Sequence, residues 1–145
     1  PYLEYVHDIN FSAIKRDDRM EKALDKLPGR KIVFTNAAGR YAEKVLQKLG
    51  IAHHFEDIFD IVAANFLPKP TPLVYERFVK QYKVDSENSV MVEDILRNLK
   101  PAADMGMKTV WVKTDRAWAH ADGETTQPDF STNNLASWLT EVTKF

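Results

Sequence analysis

The stretch Lys31-Ile32-Val33-Phe34-Thr35-Asn36-Ala37-Ala38-Gly39 decides the fold. It opens as a run of branched and aromatic residues and then breaks into small and polar ones. A helical pattern follows at once. Tyr41, Ala42, Val45, Leu46 and Leu49 share one face, Arg40, Glu43, Lys44 and Lys48 the other, and Gly50 stands where a C-terminal cap belongs. A buried strand that runs straight into an amphipathic helix is half of a βαβ unit.

The same alternation repeats downstream. Apolar runs predict further buried strands over 58–63, 89–93 and 108–113. Thr71-Pro72 opens a helix with a capping residue and a proline at the first helical position, and it continues through Val74, Tyr75, Phe78, Val79 and Tyr82. Another helix carries Leu99, Ala102 and Ala103 and stops near Gly106, with Pro101 fitting only its first turn. Helices are also expected over 18–27 and over 134–142, the latter with Leu135, Trp138 and Leu139 facing inward. The polar stretch 115–128 reads as a surface loop. Strands alternating with helices imply an α/β protein: a three-layer, Rossmann-like core with a mostly parallel sheet, as one domain over 1–145. Such sheets bind ligands at the carboxyl ends of their strands.

Composition narrows the function. The chain has 145 residues, 44% hydrophobic and 28% charged, with a net charge of -1, so there is no basic surface for nucleic acid. It has no cysteine, which excludes disulfides, thiolate metal sites and thiol nucleophiles. No apolar run approaches the roughly 20 residues that span a bilayer, and no signal-peptide pattern occurs. A cytoplasmic protein is the resulting expectation.

Three strand ends carry candidate chemistry. Thr35 and Asn36 close the first strand just before a helix N-terminus, whose free N–H groups and positive dipole suit a phosphate; the plainer role for either is to cap that helix. Lys69, between Pro68 and Pro70, sits on a stiff backbone a few residues after the second strand. Glu93 and Asp94 end the third strand, where charge is costly unless paired or bound to a cation. A hard cation such as Mg²⁺ takes oxygen ligands of this kind. Asn98 is placed either to orient one of these carboxylates or to cap the next helix.

In this order the elements resemble the haloacid dehalogenase superfamily of phosphohydrolases, over roughly 27–113. The phrases Phe34-Thr35-Asn36-Ala37, Leu49-Gly50-Ile51, Lys69-Pro70 and Val92-Glu93-Asp94 through Asn98-Leu99-Lys100-Pro101-Ala102 to Gly106-Met107 look like its pyrimidine 5′-nucleotidase branch. The resemblance implies that Thr35, helped by the Asn36 N–H, holds the phosphoryl oxygen, that Lys69 neutralises it, that Asp94 ligates Mg²⁺ directly and that Glu93 acts behind it, with Asn98 as support. It implies hydrolysis of a small phosphorylated metabolite through an aspartyl-phosphate, with a nucleoside 5′-monophosphate as the substrate class.

One departure is large. The family's first motif, Asp-x-Asp-x-Thr, supplies the nucleophile and the general acid/base, and no two aspartates here stand two residues apart. Asp8-Ile9-Asn10-Phe11-Ser12 lacks the second carboxylate. The expectation is that residues 1–15 return from a helical cap, that the nucleophile lies on a segment preceding Pro1, and that this chain alone is inactive. An exposed sheet edge would then favour pairing with another chain, including a homo-oligomer. The alternatives are a sugar-phosphate or phosphoglycolate phosphatase, and a non-catalytic domain that binds phosphate or a protein. His53-His54 beside Glu56-Asp57 reads as a polar turn, His120 and Asp122 as loop residues without partners, and Trp111, Trp118 and Trp138 as core or loop anchors.

Overall fold

The computed structural model describes residues 10–123 and 125–144. The expected return segment therefore lies largely outside the described residues, as does Asp8. Asn10 accepts a hydrogen bond from Ser12 N at 2.9 Å and starts a 3-10 turn over Phe11–Ala13.

The chain is α/β with parallel strands throughout, and its described residues form two compact units, 10–66 with 136–144, and Leu67–Leu135. In the first, helix α1 (Asp18–Lys26) precedes strand β1 (Ile32–Phe34), helix α2 (Gly39–Leu49) and strand β2 (Asp57–Phe59). β1 and β2 pair in parallel, Val33 opposite Ile58, and Thr35 N extends the ladder to Phe59 O at 3.0 Å. Phe34 and Phe59 pack edge to face, 5.3 Å apart. The helical pattern of α2 is met: its polar positions are exposed, Ala42 is buried, and Gly50 closes it at φ 75°.

The second unit holds helix α3 (Pro72–Tyr82), strand β3 (Val90–Glu93), helix α4 (Lys100–Asp104), strand β4 (Lys108–Val112), the short helix α5 (Ala117–His120) and strand β5 (Phe130–Thr132). β4 is central, flanked by β3 and β5, both parallel to it. α3 buries Val74, Tyr75, Phe78 and Tyr82, the face its periodicity selects. Helix α6 (Leu135–Val142) ends the described chain, with Ala136 and Leu139 buried and Leu135 and Trp138 half-buried.

Three expectations are corrected here. The strand expected over 58–63 ends at Phe59, because the Asp60 carboxylate captures Val62 N at 3.1 Å and Ala63 N at 2.8 Å and folds the chain into turns. The stretch 115–128 contains α5, and β5 follows it at Phe130. Not every strand is buried: Val90 and Val92, on one face of β3, are 59% and 38% exposed. The parallel pairing expected of the strands is met, in a two-stranded and a three-stranded sheet.

Candidate functional site

The end of β3 carries the most constrained polar cluster. Glu93 is the last strand residue and is buried, and Lys69 is buried too. Lys69 Nζ lies 2.6 Å from Glu93 Oε2, with side chains only 7% and 8% exposed. The same oxygen accepts from Asn98 Nδ2 at 3.3 Å. Oε1 accepts from the backbone N–H groups of Asp94 at 3.1 Å and Ile95 at 3.2 Å. Four donors thus occupy both oxygens of one buried carboxylate, the condition for tolerating a charge in such a place.

The adjoining Asp94 is half-buried. Burial raises the Glu93 carboxyl, but the Lys69 ammonium and the hydrogen bonds outweigh it and hold the group below the usual carboxylate range. Asp94 goes the other way: burial, and then the Glu93 carboxylate beside it, push it up to about 6. Two adjoining carboxylates, one fully bonded by the protein and one destabilised in its ionised form, make an oxygen donor set that suits a hard divalent cation.

A second layer fixes this cluster. Tyr75, buried on α3, donates its hydroxyl proton to the Asn98 carbonyl at 2.5 Å. Its own ionisation is pushed upward, by burial and then by the Glu93 charge. Trp111 Nε1 donates to the Asp94 carbonyl at 3.0 Å. The 3-10 turn Leu96–Leu99 is tied to α5 by Arg97, whose guanidinium reaches the carbonyls of Trp118 and Ala121 at 3.4 and 3.3 Å. His120, expected to lack partners, hydrogen-bonds Thr114 O at 2.7 Å and packs edge-on against Trp111. Trp111 is the anchor expected of it, whereas Trp118 is 50% exposed.

Thr35 and Asn36 lie in the first unit. The Thr35 hydroxyl accepts from Ala37 N at 3.0 Å, so it shapes the turn and does not cap α2, whose N-cap is Ala38. Asp60 fills that end instead, accepting from Gly39 N at 2.8 Å. A Cβ on Gly39 would sit 2.9 Å from the same Asp60 oxygen, so a larger residue there would displace that carboxylate. Lys69, Glu93, Asp94 and Asn98 are therefore brought together in one unit, while Thr35 and Asn36 form a local arrangement in the other.

Sequence reasoning missed the roles of Tyr75 and Asp60. Tyr75 had a signal, since a hydroxyl on a buried helical face needs a partner. Asp60's turn onto Val62 N and Ala63 N had a local signal, whereas its bond to Gly39 N, 21 residues away, had none.

A family model described as "Hydrolase: haloacid dehalogenase-like hydrolase" matches residues 6–106. A glyceraldehyde 3-phosphate phosphatase from Pyrococcus abyssi is 35% identical over 74 residues, 49% of this chain and 29% of that protein. Among solved structures, the HAD-hydrolase YfnB from Bacillus subtilis, bound to magnesium, superposes with a TM-score of 0.70 at 18% identity, over 88% of this chain and 54% of that one. A HAD phosphatase from Thermococcus onnurineus gives 0.67 at 18% identity, over 99% and 65%. The chain thus spans less than a third of the curated relative and 54% to 65% of these two solved chains.

Proposed function

The chain belongs to the haloacid dehalogenase-like hydrolases, and from that premise we propose that it carries the cation-holding and phosphate-neutralising part of a Mg²⁺-dependent phosphomonoesterase. The observation that carries the reading is the saturated Glu93 carboxylate beside Asp94, whose ionised form is destabilised. Mg²⁺, when bound, would neutralise charge on the phosphoryl oxygens. Asp94 would hold it, and Glu93 would set Asp94's position through their shared contact. The Lys69 ammonium places a positive charge at this cluster, where phosphoryl transfer depends mainly on positioning and charge compensation. The family resemblance assigns Thr35 and Asn36, in the other unit, to phosphate binding.

In this family the aspartyl-phosphate nucleophile comes from a pair of aspartates two residues apart, which these 145 residues do not contain. The chain by itself is accordingly expected to bind without turnover. For the natural protein the substrate is a small phosphorylated metabolite. The motif phrases around Thr35, Lys69 and Glu93-Asp94 support a nucleoside 5′-monophosphate. A phosphorylated triose or related sugar is the second reading, favoured by the 35% identity to the glyceraldehyde 3-phosphate phosphatase.

The test is phosphate release by the natural protein, with and without Mg²⁺, from pyrimidine 5′-monophosphates and from triose and glycolate phosphates. Turnover of the nucleotides in preference supports the branch assignment. Preference for the triose supports the second reading. No Mg²⁺-dependent release from any of them would overturn both.

A further inference from the structure

We propose that Glu21, His53 and His54 bind a divalent transition-metal cation of the Zn²⁺ class, in the unit that does not contain the acidic pair. Among the described residues, the three offer ligand atoms that all lie within 4.8 Å of one another. His54 Nε2 is 3.3 Å and His53 Nε2 3.5 Å from the same atom, Glu21 Oε1. Tetrahedral Zn²⁺ with bonds of about 2.0–2.1 Å sets its ligands about 3.3–3.4 Å apart along each edge. Both imidazole-to-carboxylate distances therefore already match edges of that tetrahedron.

The backbone explains how adjacent histidines converge. In a strand their side chains would point to opposite faces. Here they end a 3-10 turn, Ala52–His54, held by His54 N to Ile51 O at 3.1 Å and Phe55 N to Ala52 O at 3.2 Å. Their rings lie 4.1 Å apart at 39°. Glu21 comes from the first turn of α1, whose start is fixed by the Asp17 carboxylate on the N–H groups of Arg19 and Met20.

The donor set selects the metal. Two imidazoles and one carboxylate suit Zn²⁺ and its neighbours, whereas Mg²⁺ prefers oxygen ligands in a near-octahedral shell. A simple Glu21–His54 hydrogen bond accounts for one ring only. It gives no reason for the second, exposed ring to aim at the same oxygen. The His54 side chain is 8% exposed and Glu21 24%, so both are held in place, while His53 at 63% opens the site to solvent. Three protein ligands leave a fourth position for water or an external donor. The bound ion would clamp α1 to a turn 33 residues further along the chain.

The experiment is calorimetric titration of ZnCl₂ into the full 145-residue chain carrying Asp94→Asn, so that the acidic pair contributes little, with Co²⁺ absorption as the geometric readout. The expected result is one equivalent bound with tetrahedral Co²⁺ bands. Glu21→Gln and His53→Ala should each weaken binding by at least about 10-fold, as losses in a metal site do. Far-UV circular dichroism should stay unchanged for His53→Ala, whose side chain is exposed. Zn²⁺ should also raise the melting temperature of the Asp94→Asn chain but not of the same chain with His53→Ala added. No stoichiometric binding, or binding that survives both substitutions, would overturn the proposal.

Discussion

Lys69 Nζ and Glu93 Oε2, 24 residues apart in sequence, form a 2.6 Å ion pair that is almost wholly withdrawn from water. Removing one member leaves the other charge buried and unpaired, which costs about 3–5 kcal/mol. Lys69→Met and Glu93→Gln should each lower the urea unfolding free energy substantially. The double variant Lys69→Met/Glu93→Gln should lose less than the two single losses added. Additive losses would show that the pair is not coupled.

The pH dependence of the metal-free protein follows from Asp94. Its carboxyl is raised from the ordinary 3.8 to about 6, so between these values the folded state binds more protons than the unfolded one. This group's contribution to stability is therefore full below pH 4 and is lost as pH rises through 6. Melting in EDTA should show Asp94→Asn gaining on the parent as pH rises from 4 to 7. A difference that does not change with pH would remove Asp94 from the account.

Tyr75→Phe deletes the hydroxyl bonded to Asn98 O and leaves a buried carbonyl short of a donor. The expected loss is about 1–3 kcal/mol in denaturant unfolding. Because Asn98 also donates to Glu93, Mg²⁺ affinity should fall with it. A variant as stable as the parent would mean that the bond contributes nothing.

Asp60→Ala should cost about 1 kcal/mol, since it strips the carboxylate from Gly39 N at the start of α2. Asp60→Asn, which keeps the acceptor oxygen, should recover most of that loss. Amide exchange at Gly39, Val62 and Ala63 reports the same contacts residue by residue.

Much of this was legible in the sequence, and the failures have physical causes. The face of α3 and the cap at Gly50 follow from 3.6-residue periodicity and from glycine's freedom at φ 75°. β5 has no comparable signal: Phe130–Thr132 is three residues long, with one apolar side chain that is itself 50% exposed. Its register is set by Asp129, which accepts from Thr109 N at 2.9 Å and Thr109 Oγ1 at 3.0 Å on β4. At the candidate site the residue types were legible, because charge at the end of an apolar strand demands a partner. Which partner was not. The pairing of Lys69 with Glu93, and the meeting of Glu21 with His53 and His54, depend on chain reversals that local pattern does not encode.

We propose that the end of β3 is a cation centre with Asp94 as its direct ligand. Calorimetric titration of Mg²⁺ into the 145-residue chain and into Asp94→Asn tests it most directly. One bound ion is expected in the parent and at least about 10-fold weaker binding in the variant. Equal Mg²⁺ affinity in the two proteins would contradict it.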